Sequence, residues 1–410
     1  MKKVINAFIS MLVLMLAACT SEEVRVENPE QGLSSHLRTA DEAVAIAQNL
    51  YQARHNSRAN VAVANVAVIG SSASRASADT LIYAVNFADN QGFTLVSAAK
   101  SGEAVIGYSD EGQYREDEVA ENTNFSYYME AAKNYVEGNV VVGPWVPMPD
   151  PSAPTKTVET IQPRVSVNYG QVYPEGEYFS NKLAGCAQTA VAMVCSFLEW
   201  PVIMDYKCDD INVSFEFLNW TEIKKHVTSS NFSPVNGTAS HQCTATLEAH
   251  YALARLCREI GYLSDADCSN PKKTTTKVPH MINAINTLFT TTNYIKIGEL
   301  SSYAKGVLYE TLNKENCVLI VIGYSDADLV EADKHIWVCD GAEKQTITSK
   351  ALLWNGEWDT VVEYRYYNHF NWGQCGDQNG YFYDGVFEYK QNLNTYNYDH
   401  NVKYLKITKL

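Results

Sequence analysis

The chain has no long run of lysine or arginine, and its 32 basic side chains are outnumbered by 47 acidic ones, for a formal net charge of −15. Phosphate backbones are bound by clustered positive charge, so this balance excludes a nucleic-acid partner. The apolar stretch at residues 4–16 is too short to cross a membrane comfortably. No internal repeat recurs at solenoid periods, so the chain is not a stacked array. Cysteine is missing altogether between Cys19 and Cys186, which leaves that part of the chain without disulfides or thiol chemistry. Proline is sparse except in one place: six of the 12 fall between Pro144 and Pro163.

What is present is enough for packed cores. The 46% hydrophobic and 11% aromatic content excludes a mainly disordered chain, and 410 residues point to two domains. Lys2 and Lys3 precede the apolar stretch, and Leu16-Ala17-Ala18-Cys19 follows it. This is the pattern of a secretory signal. Its ending resembles the lipobox of bacterial lipoproteins, in which the cysteine is acylated and becomes the mature N-terminus. Residues 1–18 are therefore assigned as a signal peptide and 19–38 as a tether lipidated at Cys19. The expected location is the outer membrane, on its periplasmic or cell-surface face, with release after processing as an option.

Thr39 ahead of Asp41 and Glu42 opens a helix, since a capping oxygen and early acidic residues both suit a helix N-terminus. Strand patterns at 80–87, 92–97 and 105–108 are separated by turn residues, and a second helical stretch covers 124–137. These make a small α+β leader domain over residues 39–142. The proline-rich segment 143–163 reads as an extended, exposed linker open to proteolysis. Residues 164–410 form the second domain and hold nine of the 10 cysteines. Helices are expected from 186 until Pro201 ends the run, near 247–260 (stopped by Gly261) and near 280–289. Strands follow at 317–324, 335–340, 361–372, 380–389 and 402–408. Helices early and strands late is an α+β order.

Cys186 follows a glycine at the start of an apolar helix, where the helix dipole favours the nucleophilic thiolate. His335 stands where the polar loop 325–334 meets a strand, about 150 residues further on, at the upper end of the ~130–150 spacing between nucleophile and histidine in papain-like proteases. Asn371-Trp372 lies on a later strand and supplies a third group able to orient the imidazole.

These segments carry a resemblance. Ala184-Gly185-Cys186-Ala187-Gln188-Thr189-Ala190, His335-Ile336-Trp337-Val338-Cys339-Asp340-Gly341-Ala342 and His369-Phe370-Asn371-Trp372-Gly373-Gln374-Cys375-Gly376 resemble the streptopain family of secreted papain-like cysteine proteases. Tyr169-Gly170-Gln171-Val172-Tyr173-Pro174 is similar to the family's segment bearing the oxyanion-hole glutamine. Leu218-Asn219-Trp220 and Asp377-Gln378-Asn379-Gly380-Tyr381-Phe382 match further segments, and Tyr83-Ala84-Val85-Asn86-Phe87 and Gly92-Phe93-Thr94-Leu95-Val96-Ser97 match its propeptide. The resemblance implies a zymogen: an inhibitory α+β propeptide followed by an α+β papain-like protease domain, without metal or organic cofactor. It assigns Cys186 as nucleophile, His335 as general base and then acid, and Gln171 with the Cys186 N–H as oxyanion hole. Asn371 and Trp372 would orient the histidine. Partners are protein or peptide substrates, the chain's own propeptide as intramolecular inhibitor, and a membrane through the lipid.

Two positions depart from the family pattern. Gln374-Cys375 stands where a second tryptophan is usual, and Ala187-Gln188 where Val-Ala is common; both glutamines are candidates to face the cleft. His241, Cys243, His250, Cys257 and Cys268 cluster in sequence but match no paired metal-ligand spacing. Apart from Cys19 and Cys186, eight cysteines remain to pack or pair, with Cys195 and Cys339 in contexts suited to buried thiols. Asp340-Gly341 reads as a hairpin turn. Two functions stay open: a cysteine endopeptidase working through a thioester acyl-enzyme, or an inactive lipoprotein of the same fold that binds peptides or a protein partner. Acyl transfer by the same Cys–His pair is a third.

Overall fold

The computed structural model describes residues 36–56, 61–70, 80–140, 155–225, 245–290, 292–324, 334–352, 358–391, 394–397 and 402–410. The assigned signal, most of the tether with Cys19, residues 143–154 of the linker, Cys243, and the loop 325–333 lie outside these residues.

The leader opens with α1 (Ala40–His55). Its capping box is complete: Thr39 Oγ1 accepts the Glu42 amide at 3.2 Å, and Glu42 Oε2 accepts the Thr39 amide at 2.7 Å. Strands β1 (Val63–Ile69), β2 (Ile82–Phe87), β3 (Phe93–Ser97) and β4 (Val105–Ser109) follow, then helices α2 (Glu116–Glu121) and α3 (Thr123–Val140). β1 gives little sequence signal because it is a largely exposed edge strand with no clean alternation.

Beyond the leader come β5 (Thr155–Ile161), α4 (Cys186–Leu198), β6 (Ile203–Asp205), β7 (Phe215–Phe217), α5 (Trp220–Ile223), α6 (Leu247–Leu263) and α7 (Val278–Phe289). The remainder is β8 (Ile295–Ser302), α8 (Val307–Lys314), β9 (Cys317–Tyr324), β10 (Lys334–Leu352), β11 (Trp358–Asn371), β12 (Gly380–Tyr383), β13 (Glu388–Gln391), β14 (Asn394–Asn397) and β15 (Val402–Lys409).

Three sequence expectations need correction. The proline-rich segment contains β5, an exposed strand paired antiparallel with β10 from Ile161 opposite Ala342 to Thr155 opposite Thr348. Gly261 does not stop α6; the helix runs through it, and its missing Cβ admits the Phe179 ring, which would lie 2.8 Å from an added methyl. Asp340-Gly341 is not a turn. It sits inside β10 at a register shift against β11, with the Asp340 side chain fully buried.

One sheet runs through the whole unit from Arg38 to Leu410, in the order β1-β2-β3-β4-β12-β11-β10-β9-β15-β8, with β5 beside β10. Leader and second domain therefore share backbone pairing. The seam is β4 against β12, with Tyr108 opposite Tyr381 and Gly107 opposite Phe382. Two ion pairs also cross it: Arg54 to Glu343 at 3.0 Å, and Arg365 to Glu103 at 2.6 Å.

The strands leading to the site are buried on both faces. Val318, Ile320 and Ile322 of β9 and Ile336 and Val338 of β10 pack with α4, α6 and α7. The alternate residues Leu319, Val321, Trp337 and Cys339 pack in a second core with Phe125 and Tyr128 of α3 and Leu308 of α8.

Close approach at the seam depends on glycine. A methyl group on Gly380 would meet the Tyr108 carbonyl oxygen and lie 3.1 Å from Ser109 Cα, both backbone atoms that cannot swing away. We expect Gly380→Ala to part β4 from β12, read as faster amide exchange over residues 105–109 and a lower Tm. Unchanged exchange there would contradict the shared sheet.

Candidate active site

Helix α4 begins at Cys186 because Gly185 at its N-cap takes φ +89°, a conformation that side-chain-bearing residues rarely adopt. All of α4 except Cys186 and Phe197 is buried, so the helix is fixed in the core and its first residue is held at the rim. A cleft of about 1030 Å³ opens over Cys186; Gln171, His335 and Gln374 also line it. One wall is the segment 272–277 that leads into α7, the other is Lys334 to Ile336 at the start of β10. Thr123, the first residue of the leader helix α3, reaches into the same cleft.

The sulfur of Cys186 lies against β10, with Sγ 4.0 Å from the Lys334 carbonyl oxygen. Burial pushes its thiol up from the ordinary value, more than the amides of Ile336, Ala187 and Cys186 itself pull it down. In this state the protonated thiol is favoured.

His335 belongs to the other face of the strand. It alternates with Trp337 and Cys339, the face covered by α3, and its ring packs on Tyr127 of that helix with centroids 5.3 Å apart. Tyr127 also fills the space over Gly323, where an added methyl would sit 2.5 Å from its ring. Next to it, Asn124 Nδ2 donates to the Ile336 carbonyl at 2.9 Å and the Trp372 carbonyl at 2.7 Å. A single leader amide thus ties the His335 strand to the end of β11.

The other sequence-assigned residues are placed as follows. Asn371 is buried; its Nδ2 donates to the Val167 carbonyl at 2.9 Å and its Oδ1 accepts the Gly373 amide at 3.2 Å. Trp372 is fully buried, its Nε1 donating to the Gln378 carbonyl at 2.8 Å, in an aromatic cluster with Trp337, Phe370, Phe382 and the leader's Phe125. Gln374 is a cleft residue. Gln188 is not: it is fully buried, and its Nε2 donates to Ser264 Oγ at 3.0 Å and Thr276 Oγ1 at 2.7 Å, bracing α4 against the cleft wall from behind.

Cys186, Cys195, Cys208, Cys257, Cys268, Cys317, Cys339 and Cys375 are all free thiols, so no disulfide forms among the described residues. His250 packs edge-on to Tyr173, Cys257 is deep in the core, and Cys268 accepts a hydrogen bond from Ser180; the structure does not gather these three.

Asp340 has a structural task that its sequence context hides. Its Oδ1 lies 2.7 Å from His369 Nδ1, and its Oδ2 accepts the Val165 amide at 2.8 Å, anchoring the chain where it enters the second domain. Neither Asp340 nor His369 lines the cleft. The leader residues at the site, Thr123, Asn124 and Tyr127, carry no motif of their own and become visible only through packing.

A family model for the peptidase C10 family matches residues 165–382, which is more than half of the chain. The chain belongs to the peptidase C10 family. A second family model, the Spi protease inhibitor, matches residues 35–136, the leader. A fragment of Prevotella intermedia prointerpain A shares the fold at 17% identity and a TM-score of 0.50, over 83% of this chain and 98% of that one. The active wild-type interpain A cysteine protease of the same organism aligns at 16% identity with a TM-score of 0.37, over 60% of this chain and 94% of its own. No curated protein matches the chain. As a C10 chain with an inhibitor-type leader, it combines an α+β papain-like protease domain with the propeptide domain of a zymogen.

Proposed function

We propose that the chain is a latent cysteine endopeptidase in which Cys186 and His335 form the catalytic pair once the leader is gone. The observation that carries this is a cleft lined by Cys186, at a helix N-terminus, by Gln171 and by His335, with Thr123 of the leader's α3 lining it too. In the active form the Cys186 thiolate attacks the peptide carbonyl, with His335 holding the proton. The Gln171 side chain and the Cys186 N–H stabilise the oxyanion, where one donor is worth about 10²–10³ in rate. The C–N bond breaks as His335 protonates the amine, leaving a thioester that water hydrolyses to return the free thiol.

Latency on this reading has two parts. Tyr127 holds the imidazole on the α3 face, and burial keeps the Cys186 thiol protonated. Removing α3 frees the ring. Asn371 and Trp372 then support the histidine strand, and Gln374 gives one end of the cleft a polar lining. We further propose export and lipidation at Cys19, with protein or peptide substrates met outside the cytoplasm.

The test is incubation of the residue 20–410 form with an epoxide probe for reactive thiols. Expected are cleavage within about residues 143–165, the proline-rich segment that the sequence marks as a linker, and probe mass on Cys186 in the cleaved form. Failure of the probe to label Cys186 after the leader has been removed by an added protease would overturn the proposal and leave the peptide-binding alternative.

A further inference from the structure

Gln171 sits on a turn-rich loop, and the way that loop is held is unusual for its chemistry. The Gly170 carbonyl accepts the Thr189 hydroxyl of α4 at 2.8 Å, and the same hydroxyl donates to the Gly185 carbonyl at 3.0 Å. The Gln171 carbonyl accepts the Ala184 amide at 2.7 Å. The Gly170 amide donates to Glu175 Oε1 at 3.0 Å. Glu175 is fully buried, and it closes the loop 170–175 on which Gln171 is carried. Gly170 itself is hemmed in by Cys375, whose sulfur occupies the space a Cβ would need. The peptide joining Tyr169 to Gly170 is thus fixed by one carboxyl group, and the next peptide, joining Gly170 to Gln171, is fixed through the Gly170 carbonyl to the helix that starts at Cys186.

We propose that Glu175 is a positioning residue for the oxyanion side of the site, fixing the Tyr169–Gly170 peptide, one residue ahead of Gln171, through its contact with the Gly170 N–H. The proposal rests on the peptidase reading above. Glu175 acts through Gln171 and touches no reacting atom.

The state of the carboxyl matters. Burial raises it from the ordinary carboxylate value to about 8. The titratable groups facing it are the Tyr169 phenol and the Cys257 thiol, with Cys195 beside them, and burial pushes all three up so that they are neutral at pH 7. At neutral pH the loop is therefore held by an uncharged carboxylic acid. Above about pH 8 a negative charge develops in this apolar pocket and the loop is disturbed. Stability follows the same sign. From the ordinary value of 4.5 up to about 8 the unfolded chain ionises while the folded chain stays protonated, so folding loses stability as pH rises and levels off above 8. Glutamine keeps an acceptor oxygen in place and cannot ionise.

The experiment uses the full chain after self-processing, comparing wild type, Glu175→Ala and Glu175→Gln. Glu175→Ala is expected to lower kcat about ten- to a hundredfold with little change in KM, the signature of misplaced transition-state stabilisation. Glu175→Gln is expected to restore neutral-pH kcat and to keep it at pH 8–9, where wild type declines. In melting runs the Tm of Glu175→Gln should gain on wild type from pH 5 to 8 and then run parallel. Three results would overturn the proposal: coincident alkaline limbs for wild type and Glu175→Gln, a Glu175→Ala effect confined to Tm, or a rise confined to KM. A processed wild type with no Cys186-dependent hydrolysis would instead sink the peptidase reading, and this proposal with it.

Discussion

Cys186→Ala should leave the chain uncut and the matured domain inert. Linker cleavage in the residue 20–410 form is expected to stop, and peptide hydrolysis by the isolated domain to fall by on the order of 10⁶-fold, the loss typical when a covalent nucleophile is removed from a site whose other parts remain. His335→Ala should fall nearly as far, and the double variant no further, because the two groups act on one proton and one bond. The fold should survive both changes: Cys186 lies at the rim of α4, and the helix is held by its buried residues from Ala187 to Leu198. Near-native Tm with lost turnover, by melting and by hydrolysis of a peptide substrate, is the expected pair of results. Linker cleavage of Cys186→Ala by added wild-type enzyme would show that the cut can be made in trans; persistence of unaided cleavage would remove Cys186 from the mechanism.

The second large effect is expected at the leader helix. Phe125 is fully buried between the leader's own Phe93 and Tyr114 and the second domain's Trp372 and Phe382, each of the last two 5.7 Å from it by ring centroids. Truncating a buried phenylalanine costs about 3–5 kcal/mol. Part of that falls on the leader's core and part on its contact with the protease domain, and both favour opening. With the linker intact, we expect Phe125→Ala to raise the open fraction about 10- to 100-fold. The readout is the rate at which iodoacetamide labels Cys186 at alkaline pH, where alkylation does not depend on the histidine, measured in the His335→Ala background so that self-cleavage does not intervene. Equal labelling rates with and without Phe125→Ala would mean that α3 does not close the site.

Much of this was legible in the residues. Thr39 and Glu42 mark the first helix, the unbroken apolar run 317–322 marks a central strand, and Gly185-Cys186 marks a helix start, which the fold places at the cleft. These signals are local, so sequence carries them. The misreadings came from contacts that are not local. Gly261 has the look of a helix stop, yet it makes room for Phe179. Asp340 has the look of a turn residue, yet its partners are His369 and Val165, far along the chain in both directions. Gln188 has the look of a cleft residue because a polar side chain replaces a small one near Cys186, yet it is buried against Ser264 and Thr276. The leader's hold on His335 is hidden for the same reason: nothing in Asn124 or Tyr127 announces a partner some two hundred residues away.

The β4–β12 seam also bears on what severing the linker accomplishes. While the two parts are one chain, the leader stands at an effective concentration that a tether sets, about millimolar for a short flexible connection. After the cut that figure is replaced by the real concentration of separate leader, while the paired strands and crossing ion pairs are unchanged. On the function proposed above, cleavage makes the leader free to leave while its strand pairing remains, and dilution completes its release. A nicked molecule in a crowded space would stay closed, and the same molecule carried into a larger volume would open, so that activity reports how far the two pieces have been allowed to drift apart.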